Sequence, residues 1–192
     1  MNNCFIILAA GKGKRFKSNI PKQFAIYNNK ALYEHSIDKI IQSKLFKYII
    51  LAVNNKKYIK KKYPRYVKII KGGKERSDSS ILALNHAKKL KVNNVLIHDA
   101  ARPNFSINLV KKLLKNLKKY KAVVPFVRSN DSVKYKDKKF LFNLHKKKIL
   151  STQTPQAFNL NLINSITKNN IKIIQDEATL FIDHNINIKF IP

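Results

Sequence analysis

The sequence predicts an α/β domain, doubly wound around a mostly parallel sheet. Short apolar runs alternate with helix-period patterns, several of the runs are apolar on both faces, and 44% hydrophobic content over 192 residues suffices for one substantial core. In chain order, strands are expected at Phe5–Leu8, Tyr48–Val53, Val67–Ile70, Val95–Ile97 and Ala122–Val127. Between them, Ile37, Ile40 and Ile41 mark one amphipathic helix, and Ile81, Leu84 and Ala87 mark another. Val110, Leu113, Leu114 and Leu117 mark a third, with Ser106 as its N-cap. Arg128–Leu150 breaks the alternation. Two weak strand patterns, Val133–Tyr135 and Phe140–Leu144, flank the turn-like Lys136–Lys139 and predict a hairpin arm leaving the core, either a plain excursion or an association element. A helix around Leu160–Thr167 and a strand around Ile186–Ile191 close the chain, which shows no internal repeat or low-complexity linker.

Forty Lys plus Arg against ten Asp plus Glu give a formal charge of +30, which repels itself and attracts anions. The excess is almost all lysine, with arginine only at positions 15, 65, 76, 102 and 128, and the chain is also rich in Ile and Asn. That is what an AT-rich coding sequence supplies without selection, so compositional drift and functional charge both remain open readings. A single cysteine, Cys4, excludes a disulfide framework and a cysteine metal site, and fits a reducing compartment, with the cytoplasm as the default. The apolar run Cys4–Ala10 is short and lacks a basic leader, so it reads as a buried strand, not a signal peptide. No stretch approaches the roughly 18 to 20 apolar residues of a membrane span.

Three loops carry the candidate chemistry. In Ala9-Ala10-Gly11-Lys12-Gly13-Lys14-Arg15-Phe16 a strand opens into a loop whose two glycines permit unusual backbone angles and close approach of a ligand, leaving amides free for phosphates, while Arg15 adds charge. It has neither Walker A spacing nor the third glycine of a dinucleotide fingerprint. Pro21-Lys22-Gln23 follows, and Lys22 either reaches the same phosphates or is a solvated side chain. The second block, Gly72 to Ser79, follows a strand and opens a helix. Its paired glycines would expose amides and carbonyls to a base edge, and Ser77 or Ser79 taken alone reads as a helix cap. In the third, His98-Asp99-Ala100-Ala101-Arg102-Pro103 lies beyond a buried strand, where ligands bind in such sheets. Asp99 could hold a magnesium ion or a substrate hydroxyl, and Arg102 could bind a phosphate or lock Asp99 in an ion pair. The five histidines form no metal spacing, and His98 is read as shaping the Asp99 loop.

These blocks, with Gln153-Thr154-Pro155-Gln156, Phe158 and Asp176-Glu177-Ala178, closely resemble the 2-C-methyl-D-erythritol 4-phosphate cytidylyltransferases in order and spacing across nearly the whole chain. The double alanine of Ala100-Ala101 distinguishes them from the ribitol-5-phosphate cytidylyltransferases, which share the glycine loops. The resemblance implies a Rossmann-like nucleotidyltransferase sandwich, similar to glycosyltransferase-A folds, with a mixed, mostly parallel sheet. It implies CMP transfer from CTP to the methylerythritol phosphate, releasing pyrophosphate in nonmevalonate isoprenoid biosynthesis, with Mg2+ on the triphosphate.

By that analogy Arg15 and Lys22 stabilise charge at the α-phosphate, and Ala9, Ala10, Gly11, Gly13, Gly73 and Ser79 line the CTP pocket. Asp99 and Arg102 face ribose, metal and acceptor, with Asp99 as the metal ligand. Residues 128–150 would clasp a second subunit in a homodimer. Ser132 stands where the family usually has threonine, and Lys146 where it usually has a phosphate-gripping arginine, with Lys147 the alternative register. Charge is kept at Lys146, but the bidentate fork is lost.

The family normally continues beyond the strand ending near Ile191, so residues 1–192 are expected to form one cytidylyltransferase domain lacking the usual C-terminal segment. Either a shortened enzyme or part of a longer protein is expected, the latter of the kind fused to the cyclodiphosphate synthase of the same pathway. Three alternatives stand beside this reading: a ribitol-phosphate or other sugar-phosphate cytidylyltransferase, an inactive CTP-binding relative, and a nucleic-acid-binding protein. The last is suggested by Lys60–Lys62 and Lys146–Lys148, but the lysines are dispersed without aromatic interleaving or a reader motif, so specific nucleic-acid binding is not expected.

Overall fold

The computed structural model describes residues 2–11, 13, 20–168 and 176–192. Strand β1 (Asn3–Leu8) is buried along its whole length, because each of its faces lies under helices. After a small hairpin of β2 (Ile26–Tyr27) and β3 (Lys30–Ala31), helix α1 (Leu32–Ser43) returns the chain to β4 (Tyr48–Val53), and β5 (Val67–Lys71) follows. Helix α2 (Arg76–Lys89) then crosses back to β6 (Asn94–Asp99), and α3 (Ile107–Asn116) leads to β7 (Ala122–Val127). As expected, the Ser106 hydroxyl caps α3 by accepting the Leu109 N–H at 3.0 Å.

β1 pairs in parallel with β4 on one side and β6 on the other, so the strand order reverses at β1. Alternate residues separate into two cores. Phe5, Ile7, Leu51 and Leu96 pack under α1 and α3, while Cys4, Ile6, Ile50 and Ile97 pack under α2 and the C-terminal helices α4 (Leu160–Lys168) and α5 (Glu177–Asp183).

The arm is present. β8 (Val133–Asp137) and β9 (Phe140–Leu144) pair with each other around a two-residue loop, Lys138-Lys139. Sequence periodicity missed what comes next. β10 (Ser151–Thr152) and β11 (Gln156–Asn159) both run antiparallel to β7, and β11 also pairs with β6. Between the paired stretches the residues 153–156 stand against only Val124 and Pro125, so the two short strands are one strand interrupted by a bulge. The Gln-Thr-Pro-Gln block is that bulge, and it includes a cis Thr154–Pro155 bond.

The last strand is shorter than its apolar pattern suggested: β12 covers only Lys189–Ile191, parallel to β7. Asn185 takes φ +53°, its N–H bonds the Ile182 carbonyl, and the Ile186 N–H bonds the Phe181 carbonyl. This Schellman closure of α5 commits Ile186 to the helix end and delays the strand.

Candidate functional site

The order reversal places a crevice at the neighbouring carboxyl ends of β1 and β6. A cavity of about 590 Å³ lies there. Ala10, Gly11, Gly13 and Lys22 line one side, Arg76 and Ser79 another, and Asp99 to Arg102 a third. Blocks far apart in sequence therefore meet at one place.

Each loop is tied down. The Gln23 side-chain amide donates to the Ala9 carbonyl at 2.8 Å and the Gly11 carbonyl at 2.7 Å, and the Asn54 amide donates to the Ala10 carbonyl. Gly13 sits at φ +63°, where a Cβ would also lie 3.1 Å from the Lys22 backbone nitrogen, so Gly13 and the lysine segment lie in contact. Arg15, expected at the α-phosphate, falls outside the described residues.

The second block works differently from its sequence reading. A Cβ on Gly72 would lie 2.3 Å from the Ala10 Cβ, so glycine is needed there for loop-to-loop approach. The Gly72 N–H bonds the Val53 carbonyl and the Gly73 N–H bonds Ser79 Oγ, so neither donor is offered to a base. Neither serine caps the helix. The Glu75 N–H is taken by the Asp78 carboxylate, and Ser79, a full turn inside α2, instead donates to the Glu75 carbonyl. Ala9, buried behind the loop, and Gly73 stand outside the cavity lining.

Asp99 is the carboxylate of the crevice. Arg76 Nε reaches one of its oxygens at 3.1 Å and Arg102 Nε the other at 3.3 Å. Arg76 also forks onto Glu177, at 2.8 and 3.0 Å. Burial alone would lower the Arg76 pKa, but Glu177 and then Asp99 more than offset it and hold the guanidinium charged. Arg102 also donates to Gln153 Oε1 at 3.2 Å, from the bulge. Lys39 of α1 bonds the carbonyls of Pro103 and Phe105, fixing the far end of this loop.

Asp176 anchors the other side of the bulge. Burial would raise its pKa, but hydrogen bonds from Gln156, Thr152 and Thr179 outweigh that and hold it below the ordinary carboxylate range. Among the described residues no group of three His, Cys, Asp or Glu gathers to hold a metal, leaving Asp99 as the crevice's one candidate ligand.

Ser132 and Lys146 lie elsewhere. They line a separate cavity of about 440 Å³ at the arm, with Lys134 and His145, while the Lys147 carbonyl accepts from Arg128. Sequence reading gave no role to Gln23, Arg76, Asp176 or Glu177, although all four fall inside the motif blocks. Asn54, outside every block, carried no signal.

His98 shapes the Asp99 loop, as expected. It is fully buried, edge-on to Phe105 at 4.5 Å, and its Nδ1 lies 2.9 Å from Thr154 Oγ1. Burial pushes its pKa down to about 4. Between about pH 6.5 and 4 the unfolded chain thus binds a proton that the folded chain refuses, so stability falls as pH drops through that window, by up to about 3 kcal/mol. Urea unfolding at pH 7.5 and 5 should show this loss, and His98→Asn should flatten the slope; an equal slope in the variant would remove His98 as its source.

Comparison with known proteins agrees with this geometry. The family profile described as IspD, 2-C-methyl-D-erythritol 4-phosphate cytidylyltransferase, matches residues 3–190. A "Bifunctional enzyme IspD/IspF" of Pelagibacter ubique is 44% identical over the full chain, which spans only 52% of that relative's length. A 2-C-methyl-D-erythritol 4-phosphate cytidylyltransferase of Caldicellulosiruptor bescii is 36% identical over 85% of this chain and 75% of its own. The crystal structure of the Francisella tularensis enzyme of that name superposes with a TM-score of 0.83 at 28% identity, covering all of this chain and 90% of its own. With motif order, strand order and profile in agreement, the chain belongs to the 2-C-methyl-D-erythritol 4-phosphate cytidylyltransferase family.

Proposed function

We propose that the crevice binds CTP and transfers its cytidylyl group to 2-C-methyl-D-erythritol 4-phosphate. The observation that carries this reading is the meeting of the Gly11–Gly13 loop, Lys22 and the Asp99–Arg102 loop around one cavity. An acceptor phosphate oxygen attacks the α-phosphorus of CTP, a new P–O bond forms, and the bond to the β-phosphate bridging oxygen breaks to release pyrophosphate. The attacker is already an anion, so no general base is required. The obstacle is crowded negative charge, which positioning and cationic side chains must offset.

Lys22 and Arg15 are assigned to the α-phosphate charge, Gly11 and Gly13 to close approach of the triphosphate, and Arg102 to the acceptor. Asp99 suits a magnesium ion arriving with the nucleotide, since such ions take one or two carboxylates beside phosphates and water. Both Asp99 oxygens retain acceptor capacity beyond the single guanidinium contact each makes. When bound, the ion supplies further neutralisation of the triphosphate.

The arm is assigned to a homodimer. Cross-strand pairing puts Val133 with Leu144, Tyr135 with Phe142 and Asp137 with Phe140 on one face of the ribbon, and Tyr135, Phe140 and Phe142 are each about half exposed or more. A second copy would cover this face and bring Ser132 and Lys146 toward its neighbour's crevice. The bifunctional Pelagibacter relative supports a fused or associated cyclodiphosphate synthase as a further partner. The cytoplasm is the proposed setting, on the reducing compartment that a single cysteine fits; separately, among the described residues no helix is long and apolar enough to cross a membrane.

Pyrophosphate release should require Mg2+, CTP and the methylerythritol phosphate, with ribitol 5-phosphate a poor acceptor. Lys22→Ala should lower turnover about a hundredfold to a thousandfold. Release with ribitol 5-phosphate alone would establish the sugar-phosphate alternative. Analytical ultracentrifugation should show a dimer that Phe140→Ser with Phe142→Ser dissociates, and a dimer surviving both changes would remove the arm from the interface.

A further inference from the structure

Glu177 has no part in the chemistry just assigned, yet its side chain is the most buried of the charged group at the crevice. Its carboxylate is 4% exposed, against 28% for Arg76, 26% for Asp99 and 52% for Arg102. A buried carboxylate is retained only if it is paired, and Arg76 pairs it through both terminal nitrogens. That bidentate contact fixes the guanidinium plane and leaves Nε as the donor directed at Asp99, 3.1 Å away. Three elements meet here: Arg76 opens α2, Asp99 ends β6 and Glu177 opens α5.

The two arginines on Asp99 are therefore unequal. Arg102 is half exposed, contacts Asp99 at 3.3 Å and is shared with Gln153, so it can leave for an incoming phosphate. Arg76 cannot do so without abandoning Glu177. The cis-acting strut along the chain Glu177, Arg76, Asp99 holds the carboxylate whether Arg102 is present or not.

We propose that Arg76 and Glu177 are positioning residues that hold Asp99 in its working orientation, Glu177 acting through Arg76. This rests on the cytidylyl-transfer reading for what Asp99 does, but not for how it is held. Glu177→Gln keeps the shape of the side chain and removes the charge that anchors the fork. Arg76 then turns toward the remaining carboxylate, and Asp99 moves with it.

A double-mutant cycle with Asp99→Asn separates this from a purely structural ion pair. Glu177→Gln should lower kcat at least tenfold with the KM for CTP changed by less than about threefold. In the Asp99→Asn background the same substitution should cost less than about threefold more, because its target is already gone. Losses that multiply, or wild-type turnover in Glu177→Gln, would overturn the proposal. A crystal structure of Glu177→Gln provides a readout independent of turnover: an Asp99 carboxylate displaced together with Arg76 from its wild-type position supports it, and an Asp99 carboxylate in place overturns it. A wild-type protein inactive with every acceptor would refute the cytidylyl-transfer reading, and the crystal structures would still decide the positioning role.

Discussion

The parallel pairing of β1 with both β4 and β6 is the constraint on which the rest depends. Because β1 is buried on both faces and flanked on both edges, its chain can leave only at the carboxyl end, as can that of β6 beside it. The glycine loop follows β1 and the loop from Ala100 to Arg102 follows β6, and both line the crevice. The Ala9 N–H bonds the Ala52 carbonyl, and the Ala100 N–H bonds the Leu8 carbonyl, so the sheet's hydrogen bonding continues into both loops. Backbone groups there are held in place before any ligand arrives, and such preorganisation is the main way a protein stabilises crowded phosphate charge.

Charge is arranged differently at the crevice than over the surface. Forty basic residues give a broad positive field, which draws anions without selecting among them. In the crevice, Arg76 and Arg102 face Asp99 and Glu177, a locally balanced group in which position, not net charge, carries the information. The bulge adds a mechanical link, because Thr152 and Gln156 hold Asp176 while Gln153 holds Arg102, so the base of the arm and the crevice share one short strand.

Strong local signals made much of this legible in the sequence. The buried strands Tyr48–Val53 and Ala122–Val127 are continuous apolar runs, and the α3 stripe with its Ser106 cap has the period and the terminus of a helix. β11 was illegible because its four residues follow a proline and take their place by pairing to β6 and β7, a nonlocal cause. The start of β12 was overread because Ile186 and Ile188 are apolar for packing against the C-terminal core, not for strand pairing. At the site, residue identities were readable but their use was not. The paired glycines suggested amides open to a base, and the structure turns their N–H groups inward; Glu177 stood in a motif without a role until its contact with Arg76, 101 residues away, supplied one.

The most direct test of the central claim is a crystal structure of the protein with CTP bound. The account predicts the triphosphate between the Gly11–Gly13 loop and the Asp99–Arg102 loop, within reach of Lys22. A nucleotide held instead at the arm cavity or on the lysine-rich surface, with the crevice empty, would contradict it.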